Sequence, residues 1–340
     1  MADFYATVSG AGLHDGSSWA NAFDKDEVQT YLNASAAAGD NFYFAEGTYS
    51  YFALSGTDKS GTSTAPISFI GVKTGTTNEP PLPSDWAYGT ARPLISLSSS
   101  QYYRLGFNYG TCKNIRFEGD RTSHIAYANS YLIVYNCDFT NINSASSNAR
   151  CLAIYGYGLD LHVASCTFNS YNGWALAGGS RTMVTTCVFN LNTNGSGAYG
   201  DSGLEVFNCI FNKGIGGIGF NGSGNSAINC NFYSLTNGIY INTQSLMMIF
   251  NNDFSSCTNA IIANKSGVID KSIYFDYNNF YNNTNDMTWD NGSSEDNSAK
   301  GPHTTSNDPG YVNAASGDFT LSSTSLLIDA GLGMRLGTGA

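Results

Sequence analysis

Four polar side chains stand at recurring positions of a sequence repeat, and their types suit acid–base chemistry. Asp160 and Arg181 occupy one position in successive repeats. His162 and Glu205 occupy a position two residues further on. If each repeat adds one strand layer, Asp160 and Glu205 are two layers, or roughly 10 Å, apart. That separation is near the upper limit for the two carboxyl groups of an inverting glycosidase. The alternative interpretation is a solvated Asp160–Arg181 ion pair, which contributes little stability.

Aromatic side chains on or near the same repeats could hold a sugar ring. These candidates for ligand binding are Tyr155, Tyr157, Tyr171 and Trp174. An aromatic ring beside amide and carboxylate groups is a common way to bind a neutral sugar. The alternative is that several of these rings belong to the core or to a subunit interface. The sequence thus predicts a polar and aromatic face that can contact glycan.

A lyase reaction would need a different set of residues. A base must remove the proton beside a uronate carboxylate, and cations or Ca²⁺ must neutralise that carboxylate. The nearest such set lies within one turn and consists of Glu118, Asp120, Arg121 and His124. No outward column combines several Asp residues with two basic residues, so a lyase site is not the favoured interpretation.

One acidic cluster could bind Ca²⁺, and it consists of Asp290, Glu295 and Asp296. The cluster lacks the spacing of an EF-hand loop, so a hydrated loop is the favoured interpretation. No other cofactor and no dedicated metal site is predicted.

The repeat that positions these residues is about 22 residues long. Its most regular members are phenylalanines, namely Phe117, Phe139, Phe168, Phe189, Phe211, Phe232, Phe254 and Phe280. In one copy, Leu204 and Val206 alternate with outward residues, and Cys209 continues the alternation with the opposite parity. A one-residue bend at Asn208 explains the change, because Asn tolerates left-handed backbone angles. The equivalent bends are Asn136, Asn229 and Asn251.

Each repeat therefore predicts three short strands and no helix long enough for a βαβ crossover. Such coils can bury their apolar faces only on one another, which gives an all-β fold, a parallel β-helix. Residues from about 42 to 330 leave room for roughly 12 coils. The cysteines two residues before the ladder phenylalanines should face inward as reduced thiols. They are Cys137, Cys166, Cys187, Cys209 and Cys230.

The two ends of the chain differ from the repeats. Asp24 and Glu27 form a capping box that predicts a helix over about 25–38, lying on the first coil as a cap. Residues 1–41 are therefore expected to form an N-terminal strand and capping helix, and residues 42–306 the β-helix. Polar or proline-rich excursions are expected near 73–93 and 282–306. Residues 307–340 are expected to close the C-terminal end.

These ends also carry a resemblance to a known family. Residues 4–6 (FYA), 15–22 (DGSSWANA) and 47–49 (GTY) resemble the entry of the pectate-lyase-like superfamily of right-handed parallel β-helix proteins. Residues 308–311 (DPGY) and 317–321 (GDFTL) are similar to its closing segment. The resemblance implies a right-handed, single-stranded parallel β-helix. The superfamily includes polysaccharide lyases, glycoside hydrolases, bacterial surface proteins and phage tailspikes, the last usually homotrimeric.

Composition limits the partners. The 340-residue chain has a formal net charge of −11, and only 12% of its residues are charged. Nucleic acid and anionic membranes attract clustered cations, so neither is the expected partner. The first residues lack the basic and apolar regions of a secretory signal.

The expected function is that of a phage virion protein, such as a tailspike, fibre or capsid-surface component. It would self-associate as a homotrimer, contact other virion proteins and bind cell-surface polysaccharide. Its location would be the virion, or the extracellular space after assembly. The grounds are the missing secretory signal, the interior thiols and the incomplete catalytic set. The alternative is a polysaccharide-degrading enzyme that uses Asp160, Arg181 and Glu205. A bacterial surface adhesin is the third hypothesis.

Overall fold

The computed structural model is an all-β parallel solenoid. The structure describes residues 1–50, 59–97, 103–105, 108–119, 124–128, 131–141, 150–154, 159–242, 246–263, 273–289 and 300–332. Within these residues, no helix is long and apolar enough to cross a membrane.

In the part of the chain that the structure describes, sheet 1 takes one strand from each coil, and all of its pairings are parallel. Its 11 strands, in spatial order, are Asp3–Ala6, Asn41–Ala45, Ile67–Val72, Gly110–Lys113, Leu132–Tyr135, Leu159–Ala164, Ser180–Thr185, Leu204–Phe207, Asn225–Ile228, Met247–Phe250 and Ile273–Asp276. The order in space follows the order in sequence, as expected when each coil stacks on the one before it. The sequence-based count of roughly 12 coils is not confirmed.

Among the described residues, sheet 2 has 17 strands, which cover two sides of the solenoid. They are Thr48–Ser50, Leu94–Leu97, Tyr103–Leu105, Arg116–Gly119, His124–Ala128, Asp138–Asn141, Arg150–Ile154, Thr167–Gly178, Val188–Gly200, Ile210–Asn212, Gly216–Phe220, Asn231–Tyr233, Asn237–Ile241, Asp253–Ser255, Asn259–Ala263, Asn279–Tyr281 and Asn285–Trp289. The two long strands, Thr167–Gly178 and Val188–Gly200, continue through the corner and join the two sides.

The predicted interior ladder is confirmed. Consecutive ring centroids from Phe117 to Phe280 are 4.6 to 5.2 Å apart, and the rings are nearly parallel. The five predicted cysteines are buried and unpaired. Asn252 takes the next place in their column, where its Oδ1 accepts a hydrogen bond from the backbone N–H of Cys230 at 2.9 Å. Burial raises the pKa of the Cys166 and Cys209 thiols in this column. The column consequently acts as small apolar filling.

The predicted bends are confirmed as well. Asn136, Asn208, Asn229 and Asn251 all have φ between 51° and 55°. The Nδ2 of Asn136 donates to the Oδ1 of Asn114 in the preceding coil at 2.7 Å. This amide bond links two successive coils at the corner between the two sheets.

The N-terminal helix spans Lys25–Ala34 and begins with the predicted capping box of Asp24 and Glu27. Val28 and Leu32 point from it into the core. The helix ends four residues earlier than predicted, because the backbone N–H of Ala36 donates to the carbonyl of Tyr31 and not to that of Leu32. The backbone N–H of Ala37 then donates to Oδ2 of Asp40 at 2.9 Å. The role of the helix as a cap over the rod stays a prediction.

The two predicted excursions differ. Residues 73–93 contain two short 3-10 helices, Pro83–Asp85 and Gly89–Ala91. The segment 282–306, expected to be a loop, contains the strand Asn285–Trp289, which pairs with Asn259–Ala263. The loop prediction was wrong there because Met287 continues the buried ladder above Ile261 despite the polar sequence around it.

The C-terminal segment returns along the outside of the solenoid. Its strands Tyr311–Asn313 and Asp318–Leu321 form an antiparallel hairpin, and the 3-10 turn Ala314–Ser316 lies between them. Further on, Leu332 exchanges two hydrogen bonds with the side chain of Asn251.

Candidate functional site

The structure brings together the four residues that the repeat pattern singled out. Asp160, His162, Arg181 and Glu205 line one open cavity of about 340 Å³ on the outward side of sheet 1. We call it the sheet-1 cavity. The Nη2 of Arg181 donates to the Oδ2 of Asp160 at 3.0 Å. The two side chains are 59% and 41% exposed, so solvent screens their attraction. The pair therefore serves to present polar groups rather than to stabilise the fold.

The edge of this cavity is built from left-handed backbone. Asp160, Arg181 and Gly203 occupy the same place in three consecutive coils, with φ of 58°, 56° and 70°. A left-handed conformation costs a residue with a side chain about 1–2 kcal/mol. A Cβ at Gly203 would lie 3.3 Å from the backbone N and 3.6 Å from Cγ of Arg181, so glycine allows the two coils to approach closely at this edge. Gly224 and Leu246 hold the same place in the next two coils, with φ of 71° and 35°, so the left-handed corner belongs to the solenoid as a whole.

Two tyrosines extend this column in the other direction, and neither was among the site residues predicted from the sequence. Tyr109 and Tyr131 have φ of 56° and 61°, and their rings stack at 4.4 Å with an interplanar angle of 3°. Strand pairing places Tyr131 in the coil next to Asp160. The column therefore reads Tyr109, Tyr131, Asp160 and Arg181 over four coils, about 15 Å in length. The available signal was position: both tyrosines lie eight residues before a ladder phenylalanine.

The neighbouring outward column alternates apolar and polar groups. Ile133, His162, Met183 and Glu205 follow one another in register. Ile133 is 45% exposed and Met183 is 38% exposed. Met183 thus separates His162 from Glu205 by one coil and gives the cavity an apolar floor between its polar groups.

The predicted aromatic contacts do not gather at this cavity. Trp174 lies in sheet 2 and packs against Tyr199, with ring centroids 5.3 Å apart. The chain turns a corner between Phe168 and Trp174, so the two sides of the solenoid separate Trp174 from Asp160. Tyr155, Tyr157 and the side chain of Tyr171 lie outside the described residues. A ligand-binding role for these four stays a prediction.

The other candidate clusters lead no further. Asp120, Arg121 and the side chain of His124 lie outside the described residues, as do Asp290, Glu295 and Asp296. In the described part of the chain, three groups that metals can use meet at His14, Asp24 and Glu27. Their oxygens already accept the hydrogen bonds of the capping box and of His14, which gives them a structural role.

The sheet-1 cavity can bind a hydroxyl-rich chain. The Tyr109–Tyr131 stack offers apolar ring surface, and the Asp160–Arg181 pair offers an acceptor and a donor one coil further. Asp160 and Glu205 also border the same cavity from positions two coils apart, roughly 10 Å by strand spacing. That arrangement satisfies the geometric requirement for a pair of carboxyl groups on either side of a sugar linkage only at its upper limit.

Comparison with known proteins identifies the fold. No family model and no curated protein matches the chain. Among solved structures, pectate lyase Pel9A is similar, with 14% identity and a TM-score of 0.56 over 98% of this chain and 92% of that one. The PL6 family polysaccharide lyase Pedsa3628 from Pseudopedobacter saltans has 12% identity and a TM-score of 0.51. That match covers 87% of this chain and 79% of the lyase. The GH136 lacto-N-biosidase from Eubacterium ramulus has 10% identity and a TM-score of 0.53, and the match covers 85% of this chain and 66% of that one. The pectate-lyase-like solenoid is thereby confirmed as a fold.

Proposed function

We propose that this protein is a glycan-recognising β-solenoid that binds an extended polysaccharide along the outward side of sheet 1. The observation that carries the proposal is the continuous column of a tyrosine stack and an Asp–Arg pair beside the sheet-1 cavity. Sugars are bound by aromatic faces next to groups that donate and accept hydrogen bonds. The spacing of coils lets one linear chain contact several members of the column.

The polysaccharide would lie along the axis of the solenoid. Its rings would stack on Tyr131, and its hydroxyls would donate to Asp160 and accept from Arg181. Because these side chains already contact each other in the free protein, little conformational entropy would be lost on binding. The neighbouring Ile133 and Met183 would cover the apolar edges of the sugar rings.

Affinity electrophoresis tests the proposal. The wild-type protein and two variants, Tyr131→Ala and Tyr88→Ala, are run through native gels that contain one of a panel of bacterial and algal polysaccharides. Tyr88 is 54% exposed and lies in the 73–93 segment, so it serves as a matched control for losing a surface tyrosine. We expect at least one polysaccharide to retard wild type and Tyr88→Ala equally. Tyr131→Ala should bind about fivefold more weakly, since an aromatic contact is worth about 1 kcal/mol. Equal retardation of both variants would contradict the proposal.

A finer form of the proposal places this solenoid on a phage virion as a receptor-recognising homotrimer. Its support is the column of buried thiols, which suits folding in a reducing compartment, and the low fraction of charged residues. Light scattering of the purified chain tests it, and we expect a mass three times that of the 36.3 kDa chain. A monomeric mass at all concentrations would contradict the trimer.

Cleavage of the bound polysaccharide is the second candidate, and the placement of Asp160 and Glu205 on one cavity favours it. Prolonged incubation with the same panel would then produce new reducing ends, or unsaturated uronates if the reaction is an elimination. Asp160→Asn and Glu205→Gln should each abolish the product while polysaccharide still retards both proteins. If the wild-type protein binds the polysaccharide but releases no product, cleavage is contradicted and only the recognition proposal remains.

A further inference from the structure

A second cavity lies where the C-terminal segment crosses the solenoid. It has a volume of about 390 Å³, within the range of about 300–1,000 Å³ that is typical of small-molecule sites. One wall comes from the bends after sheet 1, at Asn229, Asn251 and Tyr277. The opposite wall comes from the closing segment, including Phe319 and Leu327. We call this the C-terminal cavity.

Its floor is a buried carboxylate that is held in place by neutral donors. Asp253 is only 5% exposed. Its Oδ2 accepts from the hydroxyls of Ser255 at 2.6 Å and Tyr311 at 2.7 Å, and its Oδ1 accepts from Nδ2 of Asn279 at 2.6 Å. Burial raises the pKa of Asp253 even though these hydrogen bonds favour the ionised form. A rigid acceptor group therefore lies beneath the cavity.

One side of the cavity is aromatic. The imidazole of His303 stacks on the ring of Tyr277, with centroids 4.4 Å apart and an interplanar angle of 11°. The Nδ1 of His303 lies 2.8 Å from Oδ2 of Asp276, and the backbone N–H of His303 donates to Oδ1 of the same carboxylate. These bonds fix the ring, although its side chain is 55% exposed. The cavity thus has a preorganised aromatic wall.

The remaining polar groups are amides, and their charge balance selects the ligand. Asn229 and Asn231 line the cavity and carry both donors and acceptors, as sugar hydroxyls do. The charged groups that line it are Asp253 and Asp329, and no lysine or arginine is among the lining residues described. An anionic ligand would meet only negative charge, so uronates and phosphates are disfavoured.

We propose that the C-terminal cavity is a second binding site, specific for a neutral saccharide. Its amides and acidic oxygens would pair with hydroxyls, and the His303–Tyr277 stack would carry the apolar face of the ring. The site is separate from the sheet-1 cavity in sequence and uses the closing segment, which contributes nothing to that cavity. The protein would therefore contact glycan at two independent places.

Histidine NMR distinguishes the two sites in a single titration. The chain has only four histidines, and His162 borders the sheet-1 cavity while His303 borders the C-terminal cavity. The Cε1–H resonances are assigned with His162→Gln and His303→Gln. The probes are cellopentaose, xylopentaose, maltopentaose and chitopentaose, with trigalacturonate and CaCl₂ as separate arms. We expect at least one neutral pentaose to shift the His303 signal saturably, whether or not the His162 signal moves.

Two variants then test the amides. Asn231→Ala removes one amide from a strand, and Asn229→Gly removes another while keeping the left-handed backbone. Each should weaken the His303 titration about tenfold, because the ligand loses hydrogen bonds to one side chain. Asn33→Ala, on an exposed position of the helix, is the matched control and should titrate like wild type.

The outcomes separate the two proposals. A His162 shift without any His303 shift would overturn the second site and leave the sheet-1 proposal intact. A His303 shift by CaCl₂ or by trigalacturonate alone would also overturn it, since the cavity would then take an ion or an acidic sugar. Undiminished titration by Asn231→Ala and Asn229→Gly would place the neutral ligand elsewhere.

Discussion

The inward and outward sides of the same strands follow different rules. Inside sheet 1, consecutive coils repeat one residue type, as in Val163, Val184 and Val206. Three positions before Val163 and Val184, the outward edge changes from Asp160 to Arg181 within one coil. The inward side must fill a fixed volume in every coil, so close packing constrains it. The outward side meets solvent, so one coil can change without disturbing the next. Function can therefore vary along the face while the interior ladder holds the register.

The largest stability effect should come from the interior. Phe189→Ala removes a ring that stacks on Phe168 at 4.8 Å and on Phe211 at 4.6 Å. Leaving a cavity there should lower the free energy of unfolding by about 3–5 kcal/mol. The matched control is Asn190→Ala, at the exposed neighbouring position, which should change it by less than about 1 kcal/mol. Urea denaturation followed by circular dichroism measures both. If Phe189→Ala and Asn190→Ala lowered the free energy of unfolding equally, the proposed difference between the inward and outward sides would be contradicted.

Asp253 is an exception on the outward side, because the closing segment buries it. Burial raises the pKa of Asp253, so the folded protein binds its proton more tightly than the unfolded chain. Its contribution is unfavourable above the raised pKa and disappears below the usual carboxyl pKa of about 4. Asp253→Asn should therefore gain stability relative to wild type as pH rises from about 4.

The control for Asp253→Asn is a carboxylate with the opposite shift. The backbone and side chain of Thr320 donate to Asp318 and lower its pKa. Asp318→Asn should therefore lose stability relative to wild type as pH rises towards about 4, and the difference should stay constant above that pH, because the variant removes a favourable ionised group. Denaturation midpoints between about pH 2 and 8 measure both differences. Parallel pH profiles for the two variants would contradict this assignment.

A smaller effect is expected at the N-terminus. Asp24 accepts hydrogen bonds from the backbone of Asp26 and Glu27 at 2.9 and 3.0 Å. Asp24→Ala should lower the free energy of unfolding by about 1 kcal/mol, as for other N-cap residues. Asp24→Ser should retain most of the stability because serine also caps. If Ser and Ala were equally destabilising, the cap would not be the source of the effect.

The smallest stability effect should come from the sheet-1 cavity. Arg181→Ala breaks only a solvent-exposed ion pair, so the free energy of unfolding should change by less than about 0.5 kcal/mol. Affinity for the polysaccharide should nevertheless fall by about tenfold, since a donor to the sugar is lost. Calorimetric titration and denaturation on the same sample measure the two effects. If Arg181→Ala lost much stability but bound the polysaccharide as wild type does, the outward side would be structural, which contradicts the account.

The fold was predictable because stacking repeats the same constraint in every coil. The phenylalanine spacing and the bend at Asn208 together indicate a solenoid, and both were confirmed. The same parity correctly placed Asp160 and Arg181 side by side. The same spacing from a ladder phenylalanine also applies to Tyr109. It was not used there, because the repeat copy that ends at Phe117 is the least regular one.

Other parts of the site depend on geometry that the sequence does not express. Trp174 lies only six residues after Phe168, but an irregularity between Ser170 and Asn172 carries the strand around the corner to another side. The C-terminal cavity requires contacts between residues far apart in the chain, such as Asn251 with Leu332. No local pattern predicts that the closing segment returns to this bend.

The most direct test of the account is a crystal structure with a bound oligosaccharide. The ligand should be prepared from the polysaccharide that retards the wild-type protein most strongly. We predict electron density for a sugar chain along sheet 1, with a ring on Tyr131 and a hydroxyl within hydrogen-bond distance of Asp160. Density confined to the sides formed by sheet 2, with Tyr109, Tyr131 and Asp160 uncovered, would contradict the proposed binding face.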